Sequence, residues 1–312
     1  MEGGGVSLAY GIQLPVQAQS ALFAEGWEAG AGPADLVALA RAVDGAGFDY
    51  LAACDHVAIP RRLAPAMSTV WYDPVATLAH LAAVTERVRL LSHVAVVGLR
   101  HPLLTAKQYA TVDHLSGGRL ILGVGAGHVR EEFEVLGADF ERRGAVLDET
   151  IDALRAALGS EEFPEHRGKF YDFGGLGQRP RPAQPEVPLW VGGSSPAAVR
   201  RAALKGDGWL PQGDPRERLP AQIARLRRLR EEAGAEGPFT VGAIAEPLYV
   251  GRAGWEVGRR TLTGAPEEIA ESLRAYRAMG VDQIQVRFRS RSRAELIEQI
   301  GLFGAQVAPR LD

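Results

Sequence analysis

Asp55, His56 and His128 are the side chains of this sequence best suited to moving protons. An imidazole changes charge near neutral pH, and a carboxylate within reach sets its tautomer or raises its pKa. Neighbours on an extended strand point to opposite faces, so Asp55 need not touch His56. A cap beside a surface histidine accounts for the same dipeptide. His128 follows Gly123, Gly125 and Gly127, which alternate with Val124 and Ala126. Glycines at a strand end let another group approach the backbone closely; a tight strand-to-helix turn uses them too. The run is not GxGxxG and no GK[ST] follows, so neither a dinucleotide fingerprint nor a P-loop is indicated. Gly192-Gly193-Ser194-Ser195 precedes Pro196. Free amides at a helix N-terminus suit a phosphate, and a plain capping turn explains the same residues. No HxH or similar ligand cluster stands at a strand end, so no metal site is expected.

The elements that must position these residues alternate regularly. Apolar runs predict strands over 7–14, 48–54, 88–97, 119–124, 187–191, 208–211, 239–250 and 281–288. Helices are predicted over 33–45, 74–85, 102–114, 145–158, 196–205, 216–233, 266–279 and 293–306. In the first of them Leu36, Leu39, Ala40 and Val43 recur at helical spacing, and Asp73 caps the second before Pro74. Eight strands alternating with eight helices predict an α/β fold, a parallel (β/α)8 TIM barrel, as one domain over 1–312. Residues 160–188 form the longest irregular stretch, read as an insertion or an active-site cover. In such a barrel, functional residues sit where strands end. That rule selects Gln13, Asp55, His56, Ser92, His93, Gly125, Gly127, His128, Gly192, Gly193, Ser194, Trp209, Arg287 and Arg289.

The composition fits this class. The 312 residues are 46% apolar, enough for a sizeable core. A formal charge of −3 gives no reason to expect nucleic acid or a polybasic membrane contact. Cys54 is the sole cysteine, which rules out an internal disulfide and fits a reducing cytoplasm. The N-terminal residues lack the basic region and apolar core of a signal peptide, and no stretch reaches transmembrane length.

One block carries a specific likeness. Ser116-Gly117-Gly118-Arg119, the glycines from Gly123 to Gly127, Glu131-Glu132-Phe133, Leu136-Gly137, Phe140, Arg143-Gly144 and Leu147-Asp148-Glu149 follow one another in order. Further on stand Pro188-Leu189-Trp190-Val191-Gly192-Gly193-Ser194-Ser195-Pro196 and Gly206-Asp207-Gly208-Trp209. The chain thereby resembles the luciferase-like monooxygenase superfamily, in its branch of oxidoreductases that use the deazaflavin coenzyme F420. The resemblance implies that Asp55 and His56 lie beside the cofactor ring, with His56 as acid or base for a small-molecule substrate. It implies a non-prolyl cis peptide near Ser92–His93 behind the ring, and amides of Gly192, Gly193 and Ser194 on the cofactor's phosphodiester. His128 stands where related dehydrogenases carry a Glu that gives a proton to the ring; a His there could shuttle a proton or be purely steric. Trp71, Tyr72 and Trp209, with Gln13 and Arg287, would line a pocket for an apolar or aromatic substrate. A homodimer is implied by the same analogy. The rival readings are an FMN-dependent monooxygenase fed by a separate reductase, and a cofactor-binding protein without catalysis.

Overall fold

Side-chain parity along each strand decides what this chain buries where. The computed structural model describes residues 8–21 and 23–311; Ser7, where the first strand is predicted to start, lies outside them. Eight parallel strands close into a barrel. They are β1 (Ala9–Gln13), β2 (Tyr50–Ala53), β3 (Arg89–Ser92), β4 (Leu120–Val124), β5 (Leu189–Gly192), β6 (Gly208–Leu210), β7 (Thr240–Ile244) and β8 (Gln283–Val286). Each pairs with its sequence neighbour, and β1 pairs with β8. The covering helices are α1 (Pro33–Gly45), α2 (Pro74–Ala82), α3 (Pro102–Ser116), α4 (Arg143–Leu158), α5 (Pro196–Lys205), α6 (Leu219–Glu232), α7 (Pro266–Ala278) and α8 (Arg293–Leu302). This is the (β/α)8 barrel that the alternation predicts. Among the described residues no helix is long and apolar enough to cross a membrane.

Inside the barrel Tyr50, Ala52, Leu91, Ile121, Trp190 and Leu210 form a small buried cluster. Large and small residues alternate around it. A Cβ on Gly11 would collide with the Tyr50 ring, one on Gly208 with the Trp190 indole, and one on Gly242 with the Gln283 amide. The other strand face packs on the helices and makes the larger core.

The lower end is held by charged side chains. Arg119 reaches the carbonyls of Ala82, Thr85 and Val88 at 2.9, 3.0 and 2.8 Å. It thereby satisfies carbonyls that the end of α2 leaves open. Asp113, fully buried, accepts from the amides of Leu120, Ala183 and Gln184.

Four expectations about elements change. The strand predicted over 88–97 ends at Ser92, and a short helical turn begins at Val97. The stretch 239–250 is two strands: β7 ends at Ile244, and Leu248–Val250 pairs separately with Leu262–Gly264, inside a segment expected to be irregular. The helix predicted to reach residue 85 ends at Ala82. Residues 160–188 carry a short hairpin, His166–Arg167 with Asp172–Phe173, but they do not cover the strand-end face. Glu149 of α4 holds the amides of Lys169, Phe170 and Tyr171, and Asp113 at the end of α3 holds the tail. This segment is bound to the outside of the barrel, along α3 from its first turn, where Gln178 donates to Leu103 O, to its end at Asp113.

Candidate active site

Where the strands end, a cleft of about 1760 Å³ opens. Its floor includes Gln13 from β1, His93 just past β3 and Gln285 from β8. Its walls include Cys54, Asp55, His56, Trp71, Val94, Gly125, Gly127 and His128 on one side, and Gly192, Gly193 and Ser194 further round. Arg287 lines it as well, with its guanidinium 5.0 Å from the Phe23 ring centroid.

Asp55 and His56 leave β2 in opposite directions. The Asp55 carboxylate takes both arms of Arg100, at 2.7 and 2.9 Å, and the Val96 amide at 2.8 Å. It holds the backbone after β3 rather than the imidazole. The carboxylate that reaches His56 is Glu132, whose Oε2 lies 2.8 Å from His56 Nδ1. Glu132 is buried, and its Oε1 also accepts the amides of Val57 and Ala58. Burial alone would raise the Glu132 carboxyl. The bond to His56, that ring's charge and the two amides outweigh it, holding the group below the usual carboxylate range. An ionised Glu132 accepts only, so His56 carries a proton on Nδ1 and leaves Nε2 for the cleft. The ring packs edge-on against Trp71 at 4.5 Å and His128 at 5.4 Å. His128 is exposed at the cleft rim. Partial burial and then a charge on His56 hold it below the usual imidazole range, against the opposite pull of Glu132.

His93 is a different kind of histidine. It is 6% exposed, and burial pushes it down to about 4. Its Nε2 lies 2.7 Å from the Gln212 side-chain nitrogen, which donates, so the ring proton sits on Nδ1. Cys54 also faces the cleft, but burial and then Asp55 push its thiol up to about 12. It stays protonated at neutral pH and is no nucleophile.

The non-prolyl cis peptide is His93–Val94, one bond beyond the expected position. Val94 then projects toward the ends of β4 and β5, and this explains the glycines. A Cβ on Gly125 would strike Val94 Cγ2; one on Gly192 would lie 2.7 Å from Val94 Cγ1; one on Gly127 would meet Val96 at 2.6 Å. The group that approaches these backbones is the protein's own chain. The amides need the same correction. Gly193 N donates to Leu210 O at 2.9 Å and is used in the barrel. Ser195 Oγ caps α5 by accepting from Ala198 N at 3.1 Å, Pro196 has no N–H and Val199 N donates to Ser195 O, so of the first helical turn the Ala197 amide is left for a ligand.

Three expected site residues do not reach the cleft. Trp209 is fully buried among the helices, because Gly208 and Leu210 on either side take the inward positions of β6; its indole N–H donates to Gly193 O at 2.8 Å. Ser92 points outward from β3 and exchanges hydrogen bonds with Gly123, at 2.9 and 3.0 Å. Tyr72 packs against the outer core, and its backbone is bound to Gln17. Arg200 is exposed, whereas Arg201 lines the cleft with its guanidinium 2.7 Å from Asp148.

The sequence matches the family described as luciferase-like monooxygenase over residues 8–253. The chain belongs to the luciferase-like monooxygenase family. A relative from Mycobacterium tuberculosis, an uncharacterised protein, is 36% identical over 224 residues, covering 67% of this chain and 76% of the relative. The FMNH2-dependent dimethylsulfone monooxygenase of Pseudomonas fluorescens is 26% identical over 323 residues, covering 87% of this chain and 85% of that enzyme. The solved structure of an F420-dependent secondary alcohol dehydrogenase, in complex with an F420–acetone adduct, superposes with a TM-score of 0.78. It is 16% identical and covers 98% of this chain and 99% of its own. The barrel is thus that of an F420-dependent dehydrogenase, while the sequence is similar to that of an FMNH2-dependent monooxygenase.

Proposed function

We propose that this protein is an oxidoreductase that exchanges a hydride between the deazaflavin coenzyme F420 and a small organic substrate. The observation that carries the reading is the pairing of an acid–base group with an arginine-rich far end in one cleft. His56 and His128 lie at one side; Arg201, Arg216, Arg259 and Arg260, together with Asp214, Glu217 and Glu246, line the part around and beyond the N-terminus of α5, where Arg201 is paired with Asp148 and Arg216 stands 3.9 Å from Glu246. A ring cofactor with a phosphorylated side chain fits that polarity. The floor supports the fit: Gln285 Oε1 is buried without a protein partner among the described residues, and so is His93 Nδ1. When bound, the deazaflavin supplies hydride exchange at the ring carbon that replaces flavin N5. The protein's part is to hold the ring against the Val94 bulge, to keep substrate beside Trp71 and Gln13, and to move a proton at His56 Nε2. The domain acts as one unit, and the family resemblance supports a homodimer, which gel filtration tests.

The likeness to an FMNH2-dependent monooxygenase supports a second reading, in which FMN and oxygen replace the deazaflavin. Turnover separates the two. Alcohols, enones, imines and quinones are offered with oxidised or reduced F420, and the deazaflavin absorbance is followed. Turnover with F420 that proceeds without oxygen is the expected result. Substrate oxygenation dependent on FMNH2, with no F420 turnover, would establish the second reading.

A further inference from the structure

A buried carboxylate stands behind His56 and a second imidazole beside it, 2.8 Å and 5.4 Å away. Glu132 is 3% exposed, the His56 side chain 9%, and His128 is open to solvent at the rim. The order from interior to water is therefore carboxylate, imidazole, imidazole. Other charges nearby are tied elsewhere. Asp55 is held by Arg100, Glu131 by Arg62, and Arg130 by Glu141 with Glu134 at 4.0 Å. Arg143 lies over the Phe140 ring. Trp71 closes the remaining side of His56.

We propose that Glu132, His56 and His128 form a proton relay, in which Glu132 fixes the His56 tautomer and His128 carries protons between His56 and solvent. Glu132 is a positioning residue. It keeps its charge and its bond to Nδ1–H throughout. When substrate gives up a proton, His56 Nε2 takes it. The proton passes through one water to a neutral His128 nitrogen and from there to bulk solvent, returning His56 to its starting form. The reverse order delivers a proton. A charged His128 beside a charged His56 is disfavoured, so the relay holds one proton at a time.

The relay rests on the reading of His56 as the acid–base group, so it is tested without cofactor. Histidine is labelled with ¹⁵N in the intact protein, and tautomers and titrations are read from long-range ¹H–¹⁵N spectra. In the wild type His56 is expected as the Nδ1–H form at neutral pH. In Glu132→Gln the single amide oxygen stays with the amides of Val57 and Ala58, so its NH2 faces Nδ1. Nδ1 must then accept, and the His56 proton is expected on Nε2. The His128 midpoint should fall in that variant and rise in His56→Phe. An Nε2–H form in the wild type would overturn the proposal, and that spectrum needs no variant to fold. So would a His128 midpoint indifferent to His56→Phe. Normal F420 binding together with the wrong tautomer would remove the relay and leave the cofactor assignment standing.

Discussion

His56 is the residue on which the chemistry turns, because it joins the buried Glu132 carboxylate to the cleft. His56→Ala is expected to leave deazaflavin affinity within a few-fold while turnover falls by roughly 10²–10⁴-fold. Equal losses in binding and turnover, measured side by side, would mean that the ring holds cofactor rather than protons. Much of this site could be read from the sequence, since strand ends select Gln13, His56, His93 and Arg287, all of which line the cleft. Glu132 could not be assigned to His56, because 76 residues separate them and only the closed barrel brings them together. Its one sequence signal was membership of the Glu131-Glu132-Phe133 run. Trp209 shows the opposite case. Strict alternation along β6 places Gly208 and Leu210 inward, so the tryptophan had to face the helices.

At the scale of elements, Gly125, just past β4, and Gly192, at the end of β5, make room for Val94. Gly125→Ala should cost about 1–3 kcal/mol by overpacking against that side chain. Val94→Ala should recover most of the loss, because the clash is with Val94 Cγ2 while its Cβ would stand 3.6 Å away. Urea unfolding of the two single variants and the double variant checks this; additive losses would place the strain elsewhere. Close approach was legible from the alternating glycines, but not what approaches, since β3 and β4 meet only in the folded sheet. The long segment 160–188 misled for a similar reason. Length marks an insertion, and here the inserted residues pack on the outer faces of α3 and α4, away from the cleft.

The whole molecule separates a stabilising end from a chemical end. Arg119, part of the motif that carries the family likeness, works at the bottom. Arg119→Met should cost roughly 2–3 kcal/mol by stranding the carbonyls it serves. Cofactor affinity should be unchanged in titrations below the melting range. Acid sensitivity belongs to this scale too. His93 is neutral in the fold and titrates at about 4, against 6.5 as its ordinary value. The unfolded chain therefore binds more protons between those limits, and stability must fall as pH drops through that window. The loss from His93 is about 3 kcal/mol by pH 4. Urea midpoints at pH 7, 5 and 4 should show it, and His93→Gln should flatten that part of the profile. An unchanged profile in the variant would assign the acid sensitivity to the carboxylates.

The central claim is that the cleft holds a deazaflavin. Equilibrium titration of the purified protein with oxidised F420 and, separately, with FMN, read by fluorescence, addresses it directly. The account predicts tight saturable binding of F420 and much weaker binding of FMN. Preference for FMN would contradict the hydride-transfer reading and move the protein to the oxygen-using side of its family. Binding of neither would contradict the assignment of this cleft as a flavin-type site.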